Sequence, residues 1–401
     1  MKKIYFLFMS GLFLALTANV YAQYSIGHLS PTYIDVSRSN RNITTDIYYP
    51  AISTGDSTAF ASGTFPVIVF GHGFDMGDDA YAYMEDTIVP LGYIVVFPTT
   101  ESGLSPSHSD FGLDMAFLIN QMKIQGASSS SFFYNHVSLQ SAVMGHSMGG
   151  GCAFLACENN TVPTCMVTLA AAETTPSAIA AAKSVTIPAL VLSGSVDCVA
   201  PPASNQVPMY DSLSSACKFF LSITNGCHCY FADYNFACTF GESTCDAVPP
   251  LSRTDQLQTT LDFVVPYLAY YLKGNSASWT AFNDSISVTD PSRFTYQESC
   301  SITNIKENTL SDELFIFPDP SSDHITLLFD VQGKYSFNNI VDVLEKQDAV
   351  IEITNIQGQL IKAITTTGNK TNVDVSELPC GVYVVQVKSD KVYKVGKFVK
   401  E

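Results

Sequence analysis

Three residues of this 401-residue chain have the types and the chain order needed for nucleophilic acyl transfer: Ser147 in "GHSMGGG", Asp197 in "SGSVDCVAPP" and His228 in "NGCHCYF". A serine hydroxyl is a weak nucleophile until a histidine takes its proton, and that histidine needs a carboxylate to fix its tautomer. Ser147 stands in G-x-S-x-G, with the apolar run "SAVM" before it and the small-residue run "GGGCAFLACEN" after it. That pattern predicts a strand, a sharp turn and a helix. Gly145 and Gly149 leave room for the turn, and the helix N-terminus behind the hydroxyl favours developing negative charge.

Of the seven histidines, His28 falls in the N-terminal edge region, His136 just before a strand and His324 near the C-terminus. His146 lies inside the turn and is expected to point away from its own serine. His72 belongs to "GHGFDMG", and His108 precedes a helix without following any acid candidate. His228 alone follows an acid in the order Ser, Asp, His. Asp197 is the first choice for the acid because it lies just beyond a strand end; Glu173, after the preceding strand, is the alternative. The oxyanion needs two backbone N–H groups. Met148, next after the nucleophile, supplies one, and Phe74, in the loop after "FPVIVF", supplies the other.

These residues require a sheet to hold them. "FPVIVFGHG", "GYIVVFPTT", "SAVMGHS", "CMVTLAAAE" and "IPALVLSGS" read as strands covered on both faces, because their apolar runs are continuous rather than alternating. "DFGLDMAFLINQM", opening on an N-cap at Asp110, "PSAIAAAKSV" and "TDQLQTTLDFVVPYLAYYLKG" read as the helices between and after them. The alternation predicts an α/β domain over 23–300 with a mostly parallel sheet flanked by helices. The connections between strands are too short for an inserted lid, so the site should be open. Residues 301–315 read as a polar linker. Residues 316–401 carry short alternating strands and predict a small all-β sandwich.

Lys2 and Lys3, the apolar run 4–16 and "VYA" before Gln23 read as a signal peptide over 1–22, and no later run is long enough to span a bilayer. Net charge is −17, most of it within 23–300, where 23 acidic residues face 8 basic ones. Such a body excludes nucleic acid and anionic membranes as natural partners and favours neutral substrates. Eleven cysteines in an exported chain predict disulfides, with at least one thiol left over. The candidates are the cluster Cys198, Cys227, Cys229, Cys238 and Cys245. No paired CxxC spacing occurs, so neither a metal site nor a cofactor is expected.

"VIVFGHGFDMGDD", "GHSMGGG", "SGSVDCVAPP" and "NGCHCYFA" together resemble the cutinase-like polyester hydrolases, a branch of the α/β-hydrolases that includes the polyethylene terephthalate hydrolases. The resemblance implies a serine esterase with Ser147, Asp197 and His228 as triad, Phe74 and Met148 as oxyanion donors and cleft walls, and no cofactor. The cleft tryptophan of that family is replaced by "AAAETTPS", which puts Glu173 and Thr174 there; the single tryptophan, Trp279, lies elsewhere. The family's disulfide is not matched in position, although Cys198 with Cys227 or Cys229 would tie the same two loops. "FPDPSSDHITLLF" and "VDVSELPCGVYVVQVKSDKVYKVGKFVK" resemble the sorting domain of proteins exported by the type IX machinery of Bacteroidetes. That implies passage through the periplasm of a Gram-negative cell to the surface or medium, with the secretion machinery as partner. The alternatives are a small-molecule carboxylesterase or acyl lipid hydrolase related to dienelactone hydrolases, and a non-catalytic surface binding protein.

Overall fold

A computed structural model of the chain describes residues 24–243, 245, 251–287, 290–300, 314–317, 320–328, 349–355, 358–366, 370–388 and 393–401. The expected signal peptide and residues 301–313 of the expected linker lie outside the described residues. The chain divides into two compact units, one ending at residue 302 and the other beginning at 303.

The first unit opens with strands β1 (Ser25–Leu29), β2 (Thr32–Asp35), β3 (Arg41–Ala51) and β4 (Gly55–Asp56). Then come β5 (Phe65–Gly71), α1 (Ala82–Ile88), β6 (Ile94–Pro98), α2 (His108–Ala127), β7 (Val137–His146) and α3 (Met148–Cys157). β8 (Cys165–Leu169), α4 (Ala178–Ala182), β9 (Ala189–Gly194), α5 (Gln206–Ser212) and β10 (Cys217–Ile223) continue the alternation. The unit closes with α6 (Phe236–Glu242), α7 (Arg253–Lys273), α8 (Ser276–Ser287) and β11 (Phe294–Cys300). The sheet order is β11-β10-β9-β8-β7-β5-β6-β3-β1-β4, with β2 paired to β3. From β6 through β10 every pairing is parallel; β3 and β11 join antiparallel at the two sides.

β5 shows why the apolar runs become central strands. All seven of its residues are buried. Val67 and Val69 enter the core beneath α2, α3, α4 and α5, while Ile68 and Phe70 enter the core beneath α1, α7 and α8. α2 starts earlier than expected: Ser107, not Asp110, is its N-cap, because the Ser107 hydroxyl accepts the Asp110 N–H at 3.2 Å. The short helices α1, α5 and α6 have no counterpart in the sequence reading, and neither do β11 and α8. β11, "FTYQESC", is an edge strand with a mostly uncovered face, so its pattern is polar. α8, "SASWTAFNDSIS", buries Phe282 and Ile286 and stacks Trp279 on Tyr270 and Phe282, at ring separations of 4.4 and 5.5 Å.

The second unit is all β. β12 (Phe315–Phe317), β13 (His324–Leu328) and β16 (Lys370–Asp374) form one antiparallel sheet. β14 (Ala349–Asn355), β15 (Leu360–Thr366), β17 (Gly381–Lys388) and β18 (Tyr393–Lys400) form another in the order β15-β14-β17-β18. Ile325, Leu327 and Val373 from the first meet Ile351, Val385 and Phe398 from the second in one apolar core. Among the described residues no helix is long and apolar enough to cross a membrane.

Candidate active site

Parallel strands of a doubly covered sheet all end on one edge, and loops at that edge can converge. Ser147 follows β7, Asp197 follows β9, His228 follows β10 and Phe74 follows β5. Ser147 is held at φ 54°, ψ −120°, a conformation costly for a residue with a Cβ and kept only where the surroundings enforce it. The surroundings are tight. A Cβ on Gly145 would come within 2.3 Å of the Gly149 carbonyl, and one on Gly149 within 2.1 Å of the Gly71 carbonyl. The Ser147 N–H donates to the Leu169 carbonyl at 3.0 Å, and its own carbonyl accepts from Gly151 and Ala172, so the turn is bonded on both sides.

The three candidates meet. The Ser147 hydroxyl lies 2.8 Å from His228 Nε2, and His228 Nδ1 lies 2.7 Å from Asp197 Oδ2. The acceptor-only carboxylate requires the Nδ1–H tautomer, which leaves Nε2 free to take the serine proton. Asp197 Oδ1 accepts the N–H groups of Val199 and Ala200 at 2.9 and 2.8 Å, so this carboxylate is held in place. His228 is 2% and Asp197 4% exposed, whereas Phe74 is 47% exposed. The candidate base and acid are therefore screened from water, while Phe74 is open to solvent. The Met148 amide is the first of α3, where no intrahelical acceptor exists.

The other expected residues take different places. Glu173 is exposed; its carboxylate accepts the Ile179 N–H and its own N–H goes to Asn205, so it is not the partner of His228. Thr174 is buried, and its hydroxyl donates to the Pro176 carbonyl at 2.6 Å. His108 accepts the Thr175 N–H at 3.1 Å. His72 contacts the carbonyls of Gly73 and Thr100.

The cysteine expectation needs correction. Cys198 pairs with Cys245, not with Cys227 or Cys229; Cys229 pairs with Cys238, and Cys217 with Cys300. Cys227 keeps a buried thiol. Its backbone is gripped on both sides by Gln256, which accepts the Cys227 N–H at 2.9 Å and donates to its carbonyl at 2.8 Å. Burial, reinforced by the Glu242 carboxylate, pushes that thiol up. The residue after the acid and the residue after the base are thus each tied to the segment 238–245.

Sequence reasoning missed the residues that hold the base loop. Arg253 donates to the carbonyls of Cys229, Ala232 and Asp233, and Tyr83 donates to the Phe231 carbonyl at 2.9 Å. The only available signal was the pair Arg253 and Gln256, one turn apart at the start of a helix.

A family profile described as PET hydrolase-like matches residues 18–242. The chain belongs to that family. A second profile, described as a secretion system C-terminal sorting domain, matches residues 315–401 and marks the protein as secreted or displayed at the cell surface. A bis(hydroxyethyl) terephthalate hydrolase of Streptomyces coelicolor is 28% identical over 197 residues, covering 45% of this chain and 54% of the relative. Cutinase est1 of Thermobifida alba is 27% identical over 186 residues, covering 45% and 56%. Chlorophyllase-1 of Citrus sinensis is 35% identical over 99 residues, covering 24% and 30%. The chain spans about half the length of the curated hydrolase and cutinase it matches, and this PET hydrolase-like protein carries a sorting domain in addition.

Proposed function

We propose that this protein is a secreted serine hydrolase that cleaves carboxylic esters of the cutinase and polyester type through an acyl-enzyme on Ser147. The observation that carries the reading is the unbroken line from the Ser147 hydroxyl to His228 Nε2 and from His228 Nδ1 to Asp197. As Ser147 Oγ attacks the ester carbonyl, His228 Nε2 takes its proton and the carbonyl oxygen becomes an oxyanion. The N–H groups of Phe74 and Met148, with the positive end of α3, stabilise that charge. Collapse expels the alkoxide, which leaves with the proton from His228. Water then repeats the sequence on the acyl-serine, and Asp197 keeps the imidazole oriented throughout.

The exposed Phe74 in the loop after β5 and the acidic body favour neutral, apolar esters, polymeric ones included; names of relatives that act on terephthalate esters and cutin agree. Residues 23–300 supply the chemistry, and 316–401 address the chain to the type IX machinery of a Bacteroidetes-like cell, reached through the periplasm.

A fluorescent phosphonate tests the nucleophile: it should label the wild type stoichiometrically and leave Ser147→Ala unlabelled and inactive on nitrophenyl esters. Rates on a polyester film, set against short soluble esters and acyl lipids, then name the substrate. Film hydrolysis at background with brisk turnover of the soluble esters would assign a small-molecule esterase instead.

A further inference from the structure

His146, the residue before the nucleophile, is fully buried and has no part in the proton transfers above. Its ring bridges two loops. Nε2 lies 3.1 Å from the carbonyl of His228, and Nδ1 lies 3.0 Å from the hydroxyl of Tyr81, which is likewise fully buried. A carbonyl only accepts, so His146 Nε2 carries the hydrogen. Burial and the neighbouring His228 hold the ring well below the usual histidine range, so it is neutral and Nδ1 is bare. Two acceptors face the Tyr81 O–H, Met76 Sδ at 3.6 Å and the bare Nδ1 at 3.0 Å; the imidazole nitrogen is the nearer and the stronger, so Tyr81 donates to Nδ1. The Tyr81 oxygen, in turn, accepts the N–H of Gly73 at 2.9 Å. The directions of all three bonds follow: Gly73 N–H to Tyr81, Tyr81 O–H to His146, His146 Nε2–H to the His228 carbonyl.

Gly73 directly precedes Phe74, the proposed oxyanion donor, and His228 is the proposed base. We propose that Tyr81 and His146 are positioning residues that lock the oxyanion loop and the base to one another across the nucleophile turn. The proposal rests on the acyl-transfer reading of Ser147 and His228. Space around the chain is as restricted as its polarity: a Cβ on Gly73 would come within 2.5 Å of Met76 Sδ and 3.3 Å of both His146 Nδ1 and the Tyr81 oxygen. Oxyanion donors and base must both be held within a few tenths of an ångström of their productive places, and a buried chain of satisfied hydrogen bonds gives that rigidity. Tyr81 and His146 exchange no proton in the reaction; they act through Gly73 and the His228 backbone, and the His146 ring also packs against the His228 ring at 5.0 Å between centroids.

The test is the pre-steady-state acylation rate with a nitrophenyl ester, per site titrated by phosphonate, with KM and Tm measured alongside. Tyr81→Phe keeps the ring and removes only the bridging oxygen. It should slow acylation about 10- to 100-fold with KM within about 2-fold of wild type. His146→Gln retains a donor for the His228 carbonyl and His146→Asn an acceptor for Tyr81, so each should recover part of what His146→Leu loses. In the double variant Tyr81→Phe/His146→Leu the acylation rate should equal that of His146→Leu alone, because one chain is broken only once. Independent multiplication of the two losses would overturn the proposal. So would a Tyr81→Phe enzyme that melts earlier yet acylates at the wild-type rate per site, since Tyr81 would then serve the fold alone. If the wild type itself takes no phosphonate, the acyl-transfer reading has failed; if the wild type is labelled and Tyr81→Phe is unimpaired, only the positioning role has.

Discussion

Asp197 carries its burden through geometry. Its one oxygen fixes the His228 tautomer while the other is occupied by two backbone N–H groups. Asp197→Asn keeps shape and burial but presents an amide N–H or a weaker acceptor to Nδ1, so kcat should fall about 10³- to 10⁴-fold while the fold survives. A decrease under about tenfold would move the acid elsewhere. Glu85 makes a prediction of opposite character. It is 7% exposed, one of its oxygens has no hydrogen-bond partner among the described residues, and burial with the nearby carboxylates of Asp78, Asp86, Asp46 and Asp233 pushes it up to about 8. Between an unfolded value near 4.5 and about 8, the folded state keeps a proton that the unfolded state has lost, so stability falls as pH rises through that window. Glu85→Gln removes this term: its Tm should match wild type near pH 4.5 and exceed it at pH 8.5, by on the order of 2 kcal/mol in stability. Melting curves at the two pH values check the sign. At this scale the sequence was informative for Ser147, Asp197 and His228, because motif and chain order name them. It was silent on Tyr81, whose meaning depends on His146 arriving from 65 positions away.

Continuous apolar runs reveal β5 to β9 because each strand is covered on both faces; edge strands such as β11 and half-exposed helices such as α8 lack that signature. Disulfide pairing is still less legible, since any of the clustered cysteines is close enough in sequence to any other. Cys198–Cys245 closes 47 residues and Cys229–Cys238 closes 9. The larger loop loses more freedom on crosslinking, so breaking the first with alanines should cost about 4 kcal/mol and breaking the second about 2.5 kcal/mol. Denaturant unfolding of the two double-alanine variants gives the ranking. Equal costs would mean that the segment 238–245 is held by packing rather than by its crosslinks.

The two units each have a core of their own, so a chain ended after residue 302 should fold and retain wild-type kcat on soluble esters. A loss beyond about twofold would assign the C-terminal unit a part in catalysis. The division was visible in the sequence as a change from α/β alternation to short alternating strands, since the two patterns bury surface in different ways. The end of the first unit has a mechanical consequence. Cys300, the last residue of β11, is bonded to Cys217, the first residue of β10, at the register where the two strands meet. Tension applied to the chain beyond residue 302 would otherwise unzip β11 from that end, one hydrogen bond at a time. With the crosslink in place the load passes through a covalent bond into β10, and the edge strand is spared.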